Sequence, residues 1–261
     1  MSLKDRQPLL MRRVDEPEWR RCGRRVFLDA AADELAGRQV YRYASLAETL
    51  LWLRQGRSGF ARPATWPDRY ERFVAERLWT PEGPLARVGA WLKCLSFEFG
   101  SEALWRTYAG HGGVLRIGLR LRDLVAELNR LALPRGARVM VGRCRYLDER
   151  DLHRALERLS ARLQAGEDPL PVAMQALLLK RSGFAWENEL RIAVLCPDSE
   201  DPPTVMPVEG LRPDRLQSVE IDPYLPAWQA AEWQAALASL GDWPGRIRQS
   251  GFDAEPAAAR R

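Results

Sequence analysis

The stretch KRSGFAWENELRIAVL, residues 180 to 195, constrains this chain more than any other. Alternate residues of a strand share a face, so Leu190, Ile192 and Val194 fall together on one side. Glu187, Glu189 and Arg191 fall on the other, beside Trp186. Such a strand needs a sheet to pair with and helices to cover its apolar side. Its polar side carries two carboxylates roughly 7 Å apart. A neighbouring arginine keeps one of them ionised, while burial against an aromatic raises the pKa of the other. The same residues also suit a solvated strand edge, where a Glu–Arg pair stabilises little.

The remaining segments alternate irregularly between the two periodicities. QVYRYAS reads as a short strand, and Ser45 caps the helix LAETLLWLRQ, with Gly56 after its end. A brief strand and a proline-bearing loop precede a helix that begins near Asp68. VGAWLKCLSFEF is a buried strand, SEALWRTYAG a helix capped by Ser101, and GGVLRIGLRL a strand with Leu115, Ile117 and Leu119 on one face. Helical spacing runs through residues 121–133 and 148–164, PLPVAMQALLLKRSG (169–183) reads as a more buried helix, and helical spacing returns in PAWQAAEWQAALASLG. ARVMVGRCRYL, LQSVEID and PGRIRQSGF supply further strands. With no steady strand–helix crossover rhythm, the expected fold is α+β: a mixed, mainly antiparallel sheet flanked by helices. The expected organisation is an N-terminal helical extension over 1–36, a single α+β domain over 37–252, and a frayed tail over 253–261.

Composition narrows the functional classes. No apolar run approaches the ~20 residues of a membrane helix, and the N-terminus lacks a secretory signal pattern, so the expected location is cytoplasmic with no membrane partner. Four scattered cysteines without a CxxC pair, and two histidines, give no basis for a metal site. All but three of the 40 basic residues are arginine, and the net charge is +5. That skew suits phosphate recognition, and equally a compositional bias of the source.

Two further stretches have the residue types of a site. In VYRY, Arg42 points away from Tyr41 and Tyr43 and, within a core strand, requires an anionic partner. In LWRTYAGHGGVLRIGL, Trp105 and Tyr108 share a helix face ahead of a glycine-rich turn that holds His111. That turn matches neither GxGxxG nor a Walker loop. Ser96 and Glu98 of KCLSFEF face opposite to Leu95 and Phe97.

Taken in order, Tyr41-Arg42-Tyr43, Pro63 to Asp68, Cys94 to Phe97, Trp105 to Gly113 and Lys180 to Arg191 resemble a large, mostly bacterial family known only as a domain of unknown function. The resemblance runs from about residue 40 to 250. Where that family has Asn-Asp-Pro, this chain has TWPDRY, without the asparagine. The layout is also similar to that of ADP-ribosyltransferases, in which a basic residue, a serine and a Glu-x-Glu stand on successive strands. That likeness implies that Arg42 and Ser96 hold NAD, that Tyr108 or Trp105 stacks on nicotinamide, and that Glu189, with Glu187, serves the ribose. Helices inserted between Ser96 and Glu189 account for the long interval. It implies an NAD-consuming enzyme, of the kind found in toxin or anti-phage biology. Two alternatives stand beside it: a non-catalytic module binding nucleic acid or a nucleotide, and a magnesium-dependent hydrolase or nuclease using Glu187, Glu189 and Asp68.

Overall fold

A computed structural model describes residues 18–251, except 67, 80–81, 84, 111, 200–202, 210–214 and 241–245. The expected tail, 253–261, and the first 17 residues of the expected extension lie outside the described residues. In chain order the elements begin with β1 (Trp19–Arg21), β2 (Val26–Asp29), α1 (Ala30–Asp33), β3 (Gln39–Ala44), α2 (Leu46–Gln55) and β4 (Arg57–Ala61). There follow α3 (Arg69–Leu78), β5 (Gly89–Ser96), α4 (Glu102–Ala109), β6 (Leu115–Arg120), α5 (Leu121–Leu128), β7 (Arg138–Arg143) and β8 (Arg145–Leu147). The chain continues through α6 (Glu149–Gln164), α7 (Pro169–Leu177), β9 (Leu179–Arg181), β10 (Glu189–Cys196), β11 (Val205–Glu209), β12 (Leu216–Ile221), α8 (Ala227–Ala238) and β13 (Arg246–Gln249).

Local chemistry accounts for the helix boundaries. Ser45 Oγ accepts the Glu48 amide, Asp68 accepts from Tyr70 and Glu71, and Ser101 accepts from Leu104, each taking up a donor that a helix N-terminus leaves unpaired. Gly56 closes α2 at φ 61, a left-handed conformation that a side chain would strain.

The fold is α+β, with a mixed and mostly antiparallel sheet. Its main path runs β1-β2-β7-β10-β5-β3-β6-β12-β13; β4 joins β5, and β11 pairs with β4. Helices cover both faces. On one side α2, α5 and α8 bury Trp52, Leu124 and Leu237 against Val40, Ile117, Val141, Ile192 and Val219. On the other side α3, α6 and α7 bury Leu78, Leu156 and Met174 against Leu92, Met140 and Leu195. A smaller aromatic cluster, Tyr41, Tyr43, Leu104 and Trp105, lies under α4.

The sheet forks at β5. One edge of β5 pairs with β10 along its whole length, from Gly89↔Cys196 to Ser96↔Glu189. The other edge meets two strands, β3 at Tyr41↔Ser96 and β4 at Ala61↔Leu92. Between those contacts β3 and β4 diverge. The carbonyl of Cys94 accepts a side-chain hydrogen bond from Arg42 (3.2 Å) there, in place of a ladder bond.

Three expectations need correction. Residues 19–29 are not a helical extension: β1 and β2 form a hairpin, and β2 joins the main sheet parallel to β7 through Val26↔Val139. Val26 and Leu28 are buried at a spacing of two, and Gly23 turns the chain at φ 125, where a Cβ would collide with Asn129. Only Ala30–Asp33 is helical there. ARVMVGRCRYL is two strands, because the chain leaves the main sheet at Cys144 and β8 pairs instead with β9. The helix that begins at Pro169 ends at Leu177, so Lys180 stands on a strand.

Candidate functional site

At the fork, side chains from β3, β5, α4 and the segment 187–189 line a narrow crevice, among them Arg42, Tyr43, Ser96, Tyr108, Glu187 and Glu189. The sheet register produces much of this convergence. Tyr41 stands opposite Ser96, and Ser96 opposite Glu189, so these three share a face. Of the residues expected from the sequence, Arg42, Ser96, Tyr108, Glu187 and Glu189 therefore meet. Arg191 adjoins them through Glu189. Trp105 does not line the crevice; it is fully buried behind it, edge-on to Tyr43 at 5.1 Å. His111 lies outside the described residues.

Glu187 and Glu189 are not on one strand as expected. Glu187 ends the 3-10 turn Ser182–Glu187, Asn188 adopts a left-handed conformation at φ 43, and β10 begins only at Glu189. Asn188 is held there by its own amide. Its Nδ2 donates to Glu98 (2.7 Å), and its Oδ1 accepts from Arg143 (2.7 Å). Nor is the polar side of β10 a solvated edge, for all eight residues of the strand are buried.

Those buried charges are closed by Lys180, which sequence reasoning did not assign to the site. Its ammonium donates to Glu187 (2.7 Å) and Glu189 (2.8 Å) and lies 3.7 Å from Glu71. Arg191 donates through Nε and Nη2 to the two oxygens of Glu189 (3.1 and 3.0 Å), pairs with Glu71 through Nη2, and gives Nη1 to the Leu177 carbonyl. The guanidinium packs 4.6 Å from the centroid of Trp66. Two cations thus face three carboxylates. A compact ammonium with three donors suits the space between two acids where a planar guanidinium would not. The signal in the sequence was rarity: lysine is almost absent from this chain, yet Lys93 and Lys180 are both buried against carboxylates.

The two glutamates titrate in opposite directions. Burial raises both, but at Glu189 the charges of Arg191 and Lys180 outweigh it and hold the carboxyl at about 2. At Glu187 burial prevails over Lys180, and the pKa lies above the ordinary value. A permanently ionised acid therefore sits beside one that keeps its proton more readily, the division of labour that acid–base chemistry requires.

On the other side of the fork, Arg42 pairs with Glu48 (3.2 Å), as the sequence required of a core arginine. Glu48 also accepts from Lys93 (2.6 Å), whose ammonium reaches Ser58 Oγ as well. Burial, and then Arg42, depress Lys93 to about 8 despite Glu48. The Arg42 Nε is buried without a hydrogen-bond partner among the described residues. Ser96 is fully engaged, donating to the Glu187 carbonyl (2.5 Å) and accepting the Glu98 amide (2.9 Å), so it shapes the 187–189 turn. At the rim Tyr108 stacks on Tyr43, with centroids 5.7 Å apart and planes at 18°, and remains 38% exposed.

The magnesium arrangement finds no support in this geometry. Asp68 caps α3 and pairs with Arg181 (2.6 Å). Among the described residues no group of three His, Cys, Asp or Glu side chains is placed to hold a metal ion. No helix of the described residues is long and apolar enough to cross a membrane. No family model, curated protein or solved structure matches this chain.

Proposed function

We propose that the crevice is the substrate site of an ADP-ribosyltransferase-like enzyme that consumes NAD. The observation that carries this reading is convergence: Arg42, Ser96, Tyr108, Glu187 and Glu189 come from four chain-distant segments and line one small cavity at the fork of the sheet. The crevice is narrow, and only one end of a dinucleotide is assigned to it. The nicotinamide riboside end enters and stacks on Tyr108, while the Arg42 guanidinium faces the pyrophosphate.

In the reaction the bond between the ribose C1′ and the nicotinamide nitrogen breaks, and the electron pair leaves with nicotinamide. Positive charge then develops on the ribose, which Glu189 stabilises as a carboxylate already ionised and fixed by Arg191 and Lys180. An acceptor nucleophile adds to C1′ and gives its proton to Glu187, whose raised pKa makes it the better base of the pair.

The test is release of nicotinamide from NAD. Glu189→Gln should lower the rate roughly a hundredfold or more, with the fold checked by near-ultraviolet circular dichroism. Tyr108→Ala, at the exposed rim, should chiefly raise KM. Nicotinamide release at the wild-type rate by a folded Glu189→Gln protein would end the proposal.

A further inference from the structure

Two segments rich in arginine and free of acid meet at the end of the sheet away from the crevice. Residues 19–25, WRRCGRR, and 129–138, NRLALPRGAR, hold seven arginines and no aspartate or glutamate. The first is the β1–β2 hairpin and the second leads into β7, whose Arg138 pairs with Leu195 at the far end of β10 from Glu189. Hydrogen bonds tie them together. Asn129 Nδ2 donates to the Cys22 carbonyl (2.6 Å), Arg25 Nη1 to the Leu133 carbonyl (2.7 Å), and the Val139 amide to the Arg25 carbonyl (2.9 Å). Carboxylates from elsewhere reach three of the seven arginines: Asp33 meets Arg20 (3.3 Å), Glu127 meets Arg130 (3.2 Å) and Asp168 meets Arg138 (2.6 Å). Arg21, Arg24, Arg25 and Arg135 have no carboxylate partner among the described residues.

We propose that this corner binds the sugar–phosphate backbone of duplex nucleic acid, independently of base sequence and of any reaction in the crevice. Two of the four arginines are already positioned. Arg21 folds back onto the Gly23 and Arg24 carbonyls (both 2.9 Å), and Arg25 holds that of Leu133, so a ligand has less side-chain freedom to freeze. Each guanidinium has five donors, so these bonds leave others for phosphate oxygens. The unneutralised charge replaces counterions that the duplex then releases. The surroundings choose among polyanions. None of the exposed large apolar side chains of the described residues lies in either segment, and Trp19, the one aromatic there, packs against the core. A lipid surface would require an apolar face, and a single strand would require rings on which its bases stack.

Fluorescence anisotropy of a short labelled DNA duplex with the full chain tests the assignment. Four phosphate contacts give a slope of log affinity against log salt of about −3.6, so affinity should fall on the order of a hundredfold between about 50 and 200 mM salt. The side chains of Arg24 and Arg135 hold no other described residue. The double variant Arg24→Gln/Arg135→Gln should therefore keep the wild-type Tm, bind the duplex at least tenfold more weakly at low salt, and halve the slope to about −1.8. Wild-type affinity and slope in that folded variant would overturn the proposal. So would a single strand of the same length bound as tightly as the duplex, displacement of the duplex by polyglutamate at equal charge, or binding to phosphatidylserine vesicles without binding to the duplex. The double variant should release nicotinamide from NAD as the wild type does, so the surface and the crevice stand or fall separately.

Discussion

Replacing Lys180 by methionine isolates the electrostatics of the buried acids. An apolar side chain of similar length remains, but the ammonium that faces the Phe184 ring and lies 2.7 and 2.8 Å from two carboxylates is lost. At an effective dielectric constant near 20, each contact is worth about 6 kcal/mol before desolvation. Desolvation takes back much of this, and removing one partner of a buried pair leaves a net loss of about 3–5 kcal/mol. That loss should depend on pH. Glu187 already has a raised pKa in the wild type, and without Lys180 it rises further. A carboxyl raised in the folded state contributes stability that is present below the unfolded value and is lost as pH rises through the folded one. Lys180→Met should therefore lie closest to wild type near pH 5 and lose further stability towards pH 8, by at most about 1.4 kcal/mol per pH unit. Urea denaturation of wild type, Lys180→Met and Lys180→Met/Glu187→Gln at pH 5, 6.5 and 8 measures this. The second substitution should restore stability at pH 8 and little at pH 5. A single variant within about 1 kcal/mol of wild type at pH 8, or a deficit independent of pH, would refute the description of Lys180 as the counter-ion of these acids.

Other perturbations address the rest of the site. Because Lys93 is depressed to about 8 in the folded protein, the wild type should gain stability relative to Lys93→Met as pH rises from 8 to about 10.5, read from Tm across that range. Asn188→Ala loses the amide bonds to Glu98 and Arg143 and keeps a left-handed backbone that a Cβ disfavours, so it should destabilise by about 2–4 kcal/mol. Asn188→Gly, which relieves only the backbone, should recover about 1 kcal/mol of that in chemical denaturation. Cys144, buried and pushed well above an ordinary thiol by burial, should resist alkylation at pH 8 until the protein is unfolded.

The parts of this fold legible in the sequence were those that local chemistry decides. Ser45, Asp68, Ser101 and Asp148 cap the helices expected to begin there, and the strands through Tyr41, Leu95 and Ile117 stand where their β-favouring and apolar residues placed them. Where long-range pairing decided, local signals misled. Trp19, Cys22, Val26 and Phe27 fit helical spacing, yet a parallel partner more than a hundred residues away draws Val26–Asp29 into the sheet. The site divides in the same way. Arg42, Ser96 and the acids carried conspicuous residue types, and the register then joined them. Lys180, Glu71 and Glu48 were hidden because nothing in their neighbouring residues distinguishes a buried charge from a solvated one; only the partners do, and those come from other elements. Glu187 was misplaced on the strand because a left-handed asparagine leaves no mark on the alternation of its neighbours.

Where β3 and β4 part company along β5, one guanidinium bridges the gap by holding the Cys94 carbonyl. The group proposed to greet a phosphate is thus also a rung between two halves of the molecule. Any anion strong enough to draw Arg42 off that carbonyl would loosen the seam as it docks, whereas one that engages the unused Nε would leave the seam closed. Ligand occupancy and the mechanical continuity of the protein then become a single equilibrium, and amide exchange at residues 93–95 would report it.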